Sequence, residues 1–102
     1  MSIRVERWAK DFAPDTTELR KQMEAEGYIV TEHSDTPGIV HEPHDHSTDQ
    51  SLWIISGSAQ LRVGDENYTL NTGDRDFLPA HTEHSAIAIG DEMVIYLNGV
   101  KN

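Results

Sequence analysis

Cysteine is absent from all 102 residues. That excludes disulfide staples and thiolate metal sites, so any metal must be held by nitrogen and oxygen donors. Basic residues are scarce too: 8 Lys and Arg stand against 18 Asp and Glu, a formal net charge of −10. A duplex-binding surface needs a dense basic face, and the one adjacent basic pair is Arg20-Lys21. The reading is therefore no nucleic acid and no anionic membrane surface as partner. No apolar run approaches the length of a membrane span, and the opening MSIRVERWAKDF holds no signal-type apolar core. Also missing are a Gly-x-Ser-x-Gly elbow, a phosphate-binding glycine loop and a complete calcium loop. The expectation from these absences is a soluble cytoplasmic protein.

What is present fits one domain. A hydrophobic content of 36% suffices for a modest core, which a bound metal or a partner subunit would reinforce. Asp15-Thr16-Thr17-Glu18 has the form of a capping box, and ELRKQMEAEG continues it with helix formers up to Gly27, a C-terminal stop. Leu19, Met23 and Phe12 supply its apolar residues, so this helix is predicted to pack on the surface of something larger or on a dimer partner. From Tyr28 onward the texture changes to short β-rich runs such as YIVTEH, SLWIISG, AQLRVG, HSAIAIG and EMVIYLN. Glycine-containing turns separate them, with no helical pattern between. That spacing predicts an antiparallel sandwich or barrel over 28–102, with 1–27 as a short helical extension of the same domain.

Three of the six histidines fall in VHEPHDHSTDQ, residues 40–50. Alternate strand residues share a face, so His44 and His46 project together while His41 and Asp45 point away. Gln50 has the same parity, unless Ser47-Thr48-Asp49 bends the chain; a shift of one residue makes Asp49 the spare oxygen ligand. A third imidazole must come from elsewhere. His81 and His84 follow GDRDFLPA, a segment that a closed barrel can bring alongside. Trp53, Ile54 and Ile55 read as core, Phe77 and Tyr96 as packing residues, and His41 and Glu42 as surface groups or supports for a ligand. Arg62 and Arg75 hold a substrate carboxylate only if either points inward.

These residues resemble the two motifs of the cupin superfamily, in a small single-domain form. The first motif matches Gly38, IVHEP, His44-Asp45-His46, STD, Gln50, SLWIIS and Gly57; the second matches Gly73, DRDFL, Pro79-Ala80-His81, TE, His84, SAI and Ala88. The resemblance spans about residues 28–98. It departs at Gln50, where the family carries a glutamate, at His81, where it carries a turn glycine, and at Ala88, where it carries an asparagine. It implies an all-β fold: an antiparallel jelly-roll barrel, or double-stranded β-helix, preceded by a short N-terminal α-helix. It also implies one divalent transition metal, nickel, iron, zinc, manganese or copper, on His44, His46, Gln50 and His84. Gln50 either ligates directly or hydrogen-bonds from behind the ligands. Cupins of this size commonly pair, so a homodimer is expected.

Three imidazoles and an amide are all neutral. Such a set leaves the ion's double positive charge uncompensated and favours an anionic or oxyanion-forming small molecule. Two functions follow. One is a metal-dependent enzyme of dioxygenase or isomerase type, in which His81 or Glu83 supplies the acid or base; His81 is otherwise a plain turn residue. The other is a non-catalytic module that binds metal or a small ligand. An enzyme keeps an inward-facing acid or base beside the metal, whereas a binder shows an apolar pocket without one. The three-His, one-Gln set looks like that of small cupins that linearise unsaturated uronate sugars. Those enzymes also use an arginine near the C-terminus, and YLNGVKN contains none.

Overall fold

A computed structural model describes residues 2–101 of the chain. Nine strands and one helix follow in the order β1 (Arg4–Glu6), α1 (Thr16–Ala25), β2 (Tyr28–Asp35), β3 (Val40–His44), β4 (Gln50–Ser56), β5 (Ser58–Val63), β6 (Glu66–Leu70), β7 (Arg75–Phe77), β8 (His84–Ile89) and β9 (Val94–Lys101). They form two antiparallel sheets, one ordered β1-β7-β4-β9-β2 and the other β3-β8-β5-β6. This is the jelly-roll arrangement expected from the sequence, with consecutive strands distributed between the two sheets.

Burial follows from strand alternation. Ile54, Leu70, Ala88, Val94 and Tyr96 pack together between the sheets, and Leu61, Val63 and Leu78 form a second cluster. The outer face of the five-stranded sheet is covered by α1. There Leu19 and Met23 meet Tyr28, Val30, Trp53 and Leu97. Asp15 caps the helix by accepting the Glu18 amide at 3.1 Å, and Gly27 follows the helix end at φ 100°. Phe12, expected on the same apolar side, is exposed and stacks edge-on against Trp8 instead.

Two motif glycines earn their place sterically. Gly57 sits at φ 83°, where a Cβ would lie 2.7 Å from the Met93 carbonyl oxygen. Gly73 sits at φ 90°, and a Cβ there would lie 2.2 Å from the Trp8 ring. The second contact also locks the N-terminal arm onto the barrel. In front of that arm, β1 adds itself to β7, a strand the sequence pattern does not announce.

Candidate metal centre

His44 ends β3 and pairs across the sheet with His84, the first residue of β8. His46 lies in the loop just after β3, and Gln50 opens β4. These four side chains meet at one end of the space between the sheets. The candidate ligand nitrogens of His44, His46 and His84 all lie within 4.8 Å of one another. Metal–nitrogen bonds of about 2.1 Å require nitrogens roughly 3–4 Å apart, so small ring rotations close the site around an ion.

The backbone sets the rings' tautomers. The His44 Nδ1 is 2.6 Å from the Glu42 carbonyl oxygen, and the His84 Nδ1 is 2.9 Å from that of Thr82. A carbonyl only accepts, so Nδ1 carries the proton in both rings and Nε2 presents its lone pair to the common centre. Burial pushes the His84 imidazole down from its ordinary value, against the smaller opposing pull of the Thr82 carbonyl, and neighbouring His44 and His46 add to the lowering. Burial and then His44 also lower His46. Both shifts favour the neutral imidazole, the form that ligates. The donor set fits a divalent transition metal on its own chemistry: three imidazoles converge without an internal ion pair, two of them oriented by backbone carbonyls. Gln50 is buried beside them, and its amide takes no hydrogen bond from another described residue, which leaves its oxygen free for the ion or a ligand.

The triad opens into a cavity of about 230 Å³. Leu52, Leu61, Leu78 and Ala86 make its apolar wall, while His33, His41, Asp76, Tyr96 and Asn98 contribute polar groups. Asp76 is fully buried. Its Oδ1 accepts the Leu52 amide at 2.8 Å, and its Oδ2 has no hydrogen-bond partner. Burial pushes its carboxyl up to about 7, against the smaller opposing pull of the Leu52 amide and Arg75.

The remaining residues named from the sequence take these places, and His41 departs from its expected side. His41 lines the cavity rather than facing away, because a bulge between His41 and His44 breaks the alternation on which parity depends. Arg75 does not face the cavity. Its guanidinium lies under α1, bonded to Glu26 at 2.6 Å and Ser51 at 2.8 Å. Arg62 is exposed and donates to the Gly64 carbonyl. Tyr96 packs as expected but also lines the cavity with its ring. His81 and Glu83 are exposed and lie outside the cavity lining. His81 is the one non-glycine with positive φ, at 63°, among the described residues. Its amide donates to the His46 carbonyl at 2.7 Å, so this turn anchors a ligand loop through backbone. Asp49 accepts the Ala80 amide at 2.8 Å and does the same kind of tying. Asp76 is a cavity residue that motif spacing does not mark; its one signal in the sequence is a second charge beside Arg75 in a strand otherwise apolar enough to be buried.

Comparisons agree with this geometry. No curated protein matches the chain. The solved structure of KdgF from Halomonas sp. is 28% identical, with a TM-score of 0.62, over 74% of this chain and 72% of that one. A conserved protein with a double-stranded β-helix domain from Klebsiella pneumoniae is 27% identical, with a TM-score of 0.64, over 74% and 67%. A mutant of Bacillus subtilis oxalate decarboxylase OxdC is 26% identical, with a TM-score of 0.67, over 74% of this chain but 22% of that longer one. The family Cupin_2, described as a cupin domain, matches residues 31–99, a span holding the whole histidine triad and its cavity: the chain belongs to the cupin family.

Proposed function

We propose that this cupin is a metal-dependent enzyme acting on a small anionic or oxyanion-forming molecule. His44, His46 and His84 would hold one divalent transition metal, with Gln50 as fourth protein ligand or as a partner of the bound substrate. The ion would supply Lewis-acid stabilisation of negative charge on substrate oxygen. Neutral donors leave its charge uncompensated, which suits a carboxylate-bearing substrate. The similarity to an oxalate decarboxylase, an enzyme named for a small dicarboxylate, supports that class. The observation that carries the reading is the cavity itself: next to the triad it keeps titratable groups, Asp76 and His41, that a pure binding module does not need.

The chain's own residues would bind, enclose and protonate. The leucine wall makes the cavity's lining largely apolar, and Asn98 and Gln50 would offer hydrogen bonds that orient a polar ligand. Metal analysis of purified protein tests the reading: about one divalent ion per chain is expected, with His46→Ala near zero. Equal metal content in both would remove the site. A substrate screen with and without oxygen then separates oxygenase from isomerase chemistry.

A further inference from the structure

Beyond the triad, the cavity mouth holds a second polar assembly that metal binding does not explain. β2 and β3 are each an edge strand of their sheet. One carboxylate oxygen bridges them. Asp35 Oδ2 lies 2.7 Å from His41 Nε2 and accepts the Tyr96 hydroxyl at 3.1 Å. The Tyr96 phenol, pushed up to about 12 by burial and by Asp35, remains a donor throughout the physiological range. On its other side the ring stacks against His33, with centroids 5.5 Å apart.

This arrangement fixes the chemistry of His41. A carboxylate at Nε2 makes that nitrogen the proton carrier and leaves the lone pair on Nδ1, which has no hydrogen-bond partner among the described residues. The Asp35 side chain is 17% exposed and that of His41 43%, so the orienting carboxylate is sheltered while the imidazole reaches both cavity and solvent. A ring held by a sheltered carboxylate, with its second nitrogen unpartnered and the ring lining the same cavity as the triad, has the arrangement of a general base.

We propose that His41 is the proton-transfer residue of this cavity, positioned by Asp35, and that its substrates are small 2-oxo acids. The proposal rests on the metal-dependent reading above. A 2-oxo acid brings an anionic carboxylate and a neighbouring carbonyl oxygen, the pair best suited to an uncompensated dication. Its carbon next to the carbonyl is acidic. His41 Nδ1 takes a proton from that carbon, the C–H electron pair becomes a carbon–carbon double bond, and the carbonyl π pair moves to oxygen. Asp35 stabilises the resulting imidazolium. The reverse step returns a proton that has exchanged with solvent through the exposed ring.

The probe is pyruvate in D2O with the metal-loaded full chain, following deuterium entry into the methyl group by NMR. Wild-type protein should exchange faster than the same concentration of free metal ion. His41→Gln can still donate to Asp35 and keep the two strands bridged, yet it cannot carry a proton. Its rate at saturating pyruvate should fall about 100-fold, with half-saturation and metal content unchanged. Asp35→Asn should lower the rate less. Independently of activity, the nitrogen-15 spectrum of the metal-free chain should show His41 as the Nε2–H tautomer, shifting toward a mixture in Asp35→Asn. A metal-loaded His41→Gln protein exchanging at the wild-type rate would overturn the proposal. So would a wild-type rate no greater than that of free metal, or an Nδ1–H tautomer at His41. Absence of bound metal would instead overturn the underlying reading, and this proposal with it.

Discussion

Arg75 and Asp76 are neighbours in β7, and the sheet sends them to opposite faces with opposite treatment. Arg75, 1% exposed, lies under α1 with its donors on Ser51 and Glu26 and its guanidinium 4.5 Å from the ring centroids of Trp53 and Phe77. Asp76, 0% exposed, lies on the cavity side with one oxygen bonded and the other unpaired. Equal burial thus gives one fully partnered charge and one half-partnered acid. The first is how a fold accommodates an ion; the second is a stability cost borne beside the candidate metal centre. The difference separates a face closed by packing and ion pairing from one that leaves a buried acid half-partnered in a cavity.

The sharpest way to break that comparison is Asp76→Asn. Burial pushes the Asp76 carboxyl up to about 7 in the folded chain, against an ordinary value of 3.8. A raised folded pKa means that the native state binds the extra proton, so its stabilising effect is complete below about pH 4 and is lost as pH rises to about 7. Shifts of this size correspond to roughly 4 kcal/mol. In metal-free protein, urea unfolding should show wild type losing stability relative to Asp76→Asn across that window, with Asn ahead by up to about 4 kcal/mol at pH 8. A difference that does not change with pH would show Asp76 to be paired after all.

Arg75→Ala probes the other face. It removes the buried guanidinium from Trp53 and Phe77 and leaves a void under α1, at a cost of about 3 kcal/mol. Arg75 also favours ionised Asp76, so its loss should raise the Asp76 pKa further. At pH 8 the double variant Arg75→Ala, Asp76→Asn should therefore be more stable than the sum of the opposing single effects predicts. Strict additivity would make the two faces independent.

Much of this is legible in the residues. The turn glycines and short β-rich runs specify the jelly-roll strands, and the spacing of His44, His46 and His84 anticipates their convergence. Three features are not legible, for physical reasons. β1 is three residues, RVE, too short to show any period, and it exists because β7 offers it an edge. His41 escapes a parity argument because alternation presumes a continuous strand, and the bulge before His44 removes that premise. In DRDFLPA, adjacent charges must point to opposite faces, but nothing local says that both faces are covered. Only α1 folding back onto the sheet makes Arg75 buried, and only closure of the second sheet makes Asp76 so.

The smallest effect tests the sign of the contrast. Glu26 sits half-exposed at the C-terminal end of α1, and its hydrogen bond from Arg75 holds its carboxyl below the usual value. A depressed folded pKa stabilises above the unfolded value near 4.5 and is lost as pH falls through the folded one. Glu26→Gln should therefore cost about 1 kcal/mol at pH 7, discounted for solvent screening, and progressively less as pH drops below 4.5. Acid thus weakens the Glu26–Arg75 contribution below 4.5, while it strengthens the Asp76 contribution between about 7 and 4. The lowered His46 and His84 act against Asp76 in the same window, so each limb of the stability–pH curve is read as a difference from wild type, in which they cancel. A wild-type advantage over Asp76→Asn that grows on acidification from 7 to 4, and one over Glu26→Gln that shrinks below 4.5, would assign each limb to its own face.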